Sequence, residues 1–275
     1  MKTTSLSSRA TAPEPSGIGG SVGQYREDAP PPGLQAHFQS IWTSVLPDSH
    51  AGDIAIVPDG CVDLIWRAGR LWVAGPDVVA ARPDLPPGAR VLGARFQPGA
   101  ARHWLGIPLS KIVGQAVELT DLQGVRARDF VSRMEEAESI ARQTEVFQNQ
   151  LMAMPQTTGK PDKKASAIFR FAALRSNDEG SVTASMRESL GVSERSLLRH
   201  CRDHFGYGPK TLERILRFQH FMSTARELRD AGLAALAIDA GYADQSHLAR
   251  EVKALCGMTA SALLNHVRCP LGVPG

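Results

Sequence analysis

The chain has 275 residues, 43% of them hydrophobic and 21% charged, which is enough apolar surface for a sizeable core and excludes a wholly disordered protein or a disulfide-stapled miniature scaffold. Its formal net charge of +3 is too small to announce a polyanionic partner; residues 1–165 carry 17 basic and 17 acidic groups and residues 166–275 carry 14 and 11, so the slight excess lies in the last part. Cys61, Cys201, Cys256 and Cys269 are far apart, with no CxxC pair and no histidine at zinc-knuckle spacing, so neither a metal site nor a redox pair is expected and a reducing compartment fits.

Residues 1–22 are rich in Ser, Thr, Gly, Pro and Ala, a composition that cannot offset the entropy of ordering, and a disordered tail is predicted there. Neither this start nor any later stretch has the apolar run of a signal peptide or a membrane span, so a cytoplasmic protein with no membrane partner is expected. From 23 to 120 the apolar runs are short and punctuated by Pro and Gly. DIAIV, CVDLIWR, RLWVAG and ARVLGARF read as strands, with a hairpin at Ala68-Gly69. Alternation sets Val62, Leu64 and Trp66 on one face and Cys61, Asp63 and Ile65 on the other. PGAARHWLGI suits a short helix, Pro108 opens another, and Thr120 or Asp121 can cap a third. Between 121 and 154, Leu122, Val125, Phe130, Met134, Ile140, Phe147 and Leu151 recur among charged residues at the spacing of one or two amphipathic helices. Residues 155–165, beginning PQTTGKPDKK, read as a linker, and KASAIFRFAALRS as a helix.

In residues 166–275 one design occurs twice. Thr183, Met186 and Leu190 form an apolar stripe, Gly191 stops it and Ser193 caps a second helix; Leu233, Leu236, Ala237 and Ala240 repeat the stripe, Gly241 the stop and Asp244 the cap. Past the turn, Leu197 matches Leu248, Cys201 matches Val252, Phe205 matches Cys256 and Gly206 matches Gly257, 51 residues apart. Two short helices joined by a tight glycine turn, twice, are the signature of paired helix-turn-helix units. With Leu197, Cys201 and Phe205 facing inward, Arg195, Ser196, Arg199 and Arg202 are left outward; the second unit leaves Gln245, Ser246, Arg250 and Lys253 outward, with His247 beside them. Arg can hold guanine O6 and N7 with two hydrogen bonds, Gln can read adenine, and Ser and Lys serve phosphates or base edges. A solvated polar face is the simpler account of either helix alone. Recurrence of cap, turn, apolar triplet and the Arg199/Arg250 match favours DNA.

GVSERSLLRHCRDHFGYGPKTLERILRFQ and AGYADQSHLAREVKALCGMTASALL resemble the DNA-binding domain of the AraC/XylS family of transcription regulators, and the resemblance spans residues 166 to 267. It implies that the helices from Glu194 and Gln245 each enter a major groove, that Arg195, Leu198 and Arg199 face bases in the first and Gln245, Ser246 and Arg250 in the second, and that a helix over 210–228 connects the units. Arg187 departs from the pattern, which favours a small residue there; Leu198 stands where a polar reader is common, and Ala260 replaces a frequent proline. VPDGCVDLIW, VAGPDVVA and ARVLGARFQPGAARHWLGIPLSKI resemble the N-terminal domain of a group of bacterial regulators that carry this module.

In the front half, His37, His50 and His103 share no strand, so no metal or other cofactor is expected. Cys61 lacks an evident base and reads as a half-buried structural residue rather than a nucleophile, and no catalytic residue is assigned. Asp63, Trp66 and Arg95 are candidate ligand contacts, an internal Asp–Arg pair and a core tryptophan being the simpler account. The expected architecture is α+β. A β-rich sensory or dimerisation domain over 23–120 and a helical extension over 121–154 precede an all-α DNA reader over 166–275. Double-stranded DNA is the expected partner, with RNA polymerase, a small-molecule effector and a second copy of the chain as further ones. An enzyme or a protein-interaction module with a fused DNA-binding tail is the alternative.

Overall fold

The computed structural model describes residues 3–5, 17–20, 22–154, 160–174 and 182–268. Its first part holds β1 (Thr3–Ser5), β2 (Gly17–Ile18), β3 (Gln24–Asp28), β4 (Phe38–Val45), β5 (Ile54–Ala55), β6 (Asp63–Arg67), β7 (Arg70–Ala74) and β8 (Arg90–Phe96). There follow α1 (Ala101–Leu105), a 3-10 turn (Leu109–Lys111), β9 (Gln115–Glu118), α2 (Leu119–Gln123), α3 (Val125–Glu135) and α4 (Ile140–Ala153). Seven strands form one antiparallel sheet in the order β1-β9-β7-β6-β8-β4-β3, and β2 pairs with β5 in a separate parallel ribbon. The β6–β7 hairpin turns as predicted at Ala68 (φ 50°) and Gly69 (φ 72°), two positive angles that match the twist of the flanking strands.

The predicted alternation holds along β6. Leu64 and Trp66 are buried beneath the helices, where they join Leu92, Ala94, Phe96, Trp104, Phe130, Met134, Phe147 and Leu151 in one core. Both amphipathic helices of the extension form, with Phe130 and Phe147 rings 5.5 Å apart across α3 and α4. Elsewhere the structure differs from expectation. Strand pairing in DIAIV is confined to Ile54–Ala55 and a single bridge from Ile56 to Ala81. The third helix starts at Leu119 after Glu118, with no side-chain cap from Thr120 or Asp121. Residues 1–22 are not wholly a tail: β1 pairs with Gln115–Val117, and β2 lies beside β5, where Ile18 is 3% exposed. An open sheet edge offers unpaired amide and carbonyl groups, and Ile18 supplies one large apolar side chain to bury. The remaining residues of that stretch lie outside the described ones.

Of the expected linker over 155–165, residues 155–159 lie outside the described residues, and α5 (Lys163–Leu174) begins before the stretch ends. Asp162 caps this helix by accepting the amide of Ala165 at 2.7 Å. Then come α6 (Val182–Leu190), α7 (Glu194–Phe205), α8 (Pro209–Glu227), α9 (Leu233–Asp239), α10 (Gln245–Cys256) and α11 (Ala260–Arg268). α8 is the connector; its Leu212, Ile215, Phe218, Phe221 and Met222 are fully buried, with Leu197 and Cys201 from α7 and Leu248 and Val252 from α10 in the same core.

The two halves pack directly on each other. Val57, Val78 and Ala80 from loops of the sheet domain pack against the helical core. Gln219 donates to the carbonyl of Pro58 at 2.6 Å, and the amide of Ala80 to the carbonyl of Leu255 at 2.6 Å. A Cβ at Gly206 (φ 86°) would stand 2.6 Å from Val113 and 2.7 Å from Pro76, so only glycine lets α7 end this close to the front domain. The loop of residues 75–82 after β7 therefore touches the carboxyl ends of both α7 and α10.

Candidate nucleic-acid interface

The two helix pairs are built alike at the level of single hydrogen bonds. In the first, the amide of Val192 donates to Arg187 at 3.1 Å; in the second, that of Tyr242 donates to Ala237 at 2.9 Å. Each bond spans five residues past a left-handed glycine, Gly191 (φ 60°) and Gly241 (φ 78°), which is the helix stop that sends the chain into a sharp turn. The caps are the expected ones: Ser193 accepts from the amide of Ser196 at 3.2 Å and Asp244 from that of His247 at 2.6 Å. Arg187, the unusual residue of the first pair, is half-buried and reaches Glu194 at 3.6 Å; Ala237 in its place in the second pair is completely buried.

With Leu197, Cys201, His204 and Phe205 buried, Arg195, Arg199 and Arg202 are all exposed on the opposite side of α7, within an arc of roughly 60° on a helical wheel. Their counterparts on α10 are Ser246, Arg250 and Lys253, likewise exposed, and Gln245 stands exposed at the start of that helix. The other candidates are placed differently. Ser196 is half-buried at the start of α7. Leu198 lies against the turn into α8, its Cδ1 3.2 Å from where a Gly208 side chain would begin. His247 is held by its own turn, accepting the amide of Ala243 at 3.4 Å and meeting Tyr242 edge-on at 5.2 Å. Lys253 donates to the carbonyl of Gly257 at 2.7 Å, closing its own helix. Behind this surface Arg214 of α8 holds Glu251 of α10 at 2.6 Å, and Arg217 lies 5.7 Å over the ring of Tyr242, fixing the second pair to the connector.

The ligand candidates do not converge. Trp66 is 6% exposed in the core of the sheet domain, whereas Asp63 and Arg95, opposite each other in register, lie on the other face. Arg95 holds Asp63 at 3.3 Å and Asp59 at 2.9 Å, and Trp42 donates to Asp63 at 3.1 Å. Strand alternation makes this separation unavoidable, since residues three apart on β6 point to opposite faces. Trp66 does border an open cleft of about 340 Å³, shared with Arg90, Leu92, Glu135 and Gln143. Burial and the neighbouring Asp59 push the Cys61 thiol up, the reverse of what an activated thiolate needs.

Charge accumulates where the sheet domain meets α7. Burial pushes the carboxyl of Asp77 up to about 7, with Asp59 and Asp63 adding to the shift; the same burial raises Asp63 against the pull of Arg95. A carboxyl whose folded pKa exceeds its unfolded value of about 3.9 makes the folded state bind more protons between the two, so its contribution to stability is lost as pH rises through that window. In denaturant unfolding the Asp77 contribution is therefore expected to fall between about pH 4 and pH 7. Asp77→Asn should flatten this slope and exceed the parent by about 1 kcal/mol at pH 8; an unchanged slope would remove Asp77 as its source.

Histidines supply a group that the sequence reading missed. His103 of α1, Asp162 before α5 and His204 of α7 bring donor atoms within 4.8 Å of one another. One signal was present in the sequence, the four-residue spacing of His200 and His204.

Residues 186–266 match the family model of a helix-turn-helix domain, and residues 26–118 that of a domain of unknown function, DUF6597. No curated protein matches the chain. Among solved structures, an apo variant of ToxT from Vibrio cholerae aligns at 11% identity over 82% of this chain and 97% of that one, with a TM-score of 0.49. ToxT of Vibrio cholerae bound to an unsaturated fatty acid aligns at 12% identity over 74% and 83%, with a TM-score of 0.41. No described helix is long and apolar enough to cross a membrane. The chain thus joins a DUF6597 domain to a C-terminal helix-turn-helix domain, the equipment of a DNA-binding transcription regulator.

Proposed function

We propose that the chain is a sequence-specific regulator whose α7 and α10 read successive major grooves of one DNA duplex. The observation that carries this reading is the repetition of Arg195, Arg199 and Arg202 as Ser246, Arg250 and Lys253, at equivalent exposed positions behind equivalent caps. Arg199 and Arg250 are the base readers, and Gln245 and Ser246 add edge contacts at the start of α10. Arg195, Arg202 and Lys253 serve the phosphates, supplying affinity that falls with salt. Ser196, Leu198 and His247 shape the entry of each helix and stay close to the backbone of their own turns. α8 sets the separation of the readers, which for two grooves on one face of B-form DNA is about 34 Å.

The front domain is the regulatory half. A small amphipathic molecule seated in the cleft bordered by Trp66, Arg90, Glu135 and Gln143, or pairing of two chains through the sheet domain, would alter how the readers are presented. Asp63 and Arg95 then act as an internal strut. RNA polymerase is the partner through which promoter-bound protein would act.

Selection of bound fragments from random duplex DNA by the full chain tests the reading. The expected result is a motif with two conserved blocks whose centres are about 10 base pairs apart, bound with an affinity that drops steeply between low and moderate salt. Recovery of fragments without a common motif would overturn it.

A further inference from the structure

The histidine cluster lies where three separate parts of the chain meet: His103 on the front domain, Asp162 at the end of the connecting segment, and His200 and His204 on the first reading helix. The two helix histidines are four residues apart, so they rise from one edge of α7, with rings stacked at 5.4 Å and 18°. The ring of His103 stands 5.4 Å from that of His204. Nε2 of both His200 and His204 lies 3.6 Å from the same oxygen, Oδ2 of Asp162. That separation is too long for a hydrogen bond. It is close to the distance of about 3.4 Å between two ligands of a tetrahedral ion with bonds near 2.1 Å.

An ion pair does not explain the group. His204 is 5% exposed, and its Nδ1 is buried with no hydrogen-bond partner. Asp162 is oriented toward the same group. Its Oδ1 accepts the amide of Ala165 at 2.7 Å, which leaves Oδ2 turned to the histidines.

We propose that His103, Asp162 and His204, with His200 alongside, bind a divalent transition-metal ion that clamps α7 to the front domain. Two or three imidazoles and one carboxylate are the donor set of zinc and its neighbours, whereas calcium and magnesium require an all-oxygen shell. The site would join α1, the segment ahead of α5 and α7 through one ion, and it stands independently of the DNA-binding reading.

The test uses the full chain, stripped with a chelator and titrated with Co²⁺ and then Zn²⁺. One ion per chain is expected, with visible cobalt absorption of a four- or five-coordinate nitrogen and oxygen site that zinc abolishes. His103→Ala and Asp162→Asn should each weaken binding at least about tenfold. Asn at 162 still accepts the Ala165 amide, so the second variant keeps the helix cap. Zn²⁺ should raise the Tm of the parent but not of Asp162→Asn. Absence of stoichiometric binding, or equal affinity in both variants and parent, would overturn the proposal. Either result would leave DNA selection unaffected, so the two readings fail separately.

Discussion

Alanine at both Arg199 and Arg250 is expected to weaken binding of the full chain to its selected DNA site by about two to four orders of magnitude. Each guanidinium that holds a guanine edge contributes roughly 1 to 3 kcal/mol of discrimination, and the two lie on separate helices, so their losses should add. Neither side chain takes part in the folded core: both are exposed, opposite the buried stripes of Leu197 and Leu248. Thermal unfolding of the double variant should therefore match the parent. Titration with cognate and scrambled duplexes at one salt concentration separates the roles. A base reader loses cognate affinity and leaves scrambled affinity almost unchanged, whereas a phosphate contact weakens both equally. A loss of less than about threefold on the cognate duplex would remove these arginines from the interface.

The second large effect concerns stability. Arg95→Ala is expected to cost about 3 kcal/mol, at the lower end of the range for breaking a buried ion pair, because the arginine is 23% exposed. The loss arises less from the missing attraction than from what is left behind. Asp63, with 15% of its side chain exposed, would face Asp59 without a counter-charge. In a chain of this size the change corresponds to a fall in Tm of roughly 6 to 12 °C. Part of it should return at acid pH, where the stranded carboxyls take up protons. A triple change, Arg95→Met with Asp59→Asn and Asp63→Asn, removes all three charges and should lie closer to the parent; an equally unstable triple variant would show that the arginine acts through packing instead.

What the sequence revealed depended on how local each determinant is. α7 and α10 were legible to the residue, since a capping side chain, an apolar triplet and a closing glycine all lie within one short stretch. β6 and β7 were legible because they alternate around a buried face, and β8 because it is a short apolar run, Val91–Ala94 being buried throughout. β3, QYRED, was not: it is an edge strand exposed at every position, so it has no apolar period to read. β4 was hidden for a related reason, its Ser40, Thr43 and Ser44 breaking the apolar run that a central strand usually shows. The front domain's charged trio depended on cross-strand register. Asp63 and Arg95 are direct partners only because β6 and β8 are neighbours in the sheet, while Trp66 falls on the other face. The histidine cluster was the least accessible, since His103 and Asp162 approach α7 only once the two halves have packed.

That packing has a mechanical consequence. The loop after β7 meets α7 through Pro76 and Gly206 and α10 through Ala80 and Leu255, so a single stretch of backbone acts as a yoke on the trailing tips of both rods. A displacement of that loop would therefore act on the carboxyl ends of both rods at once.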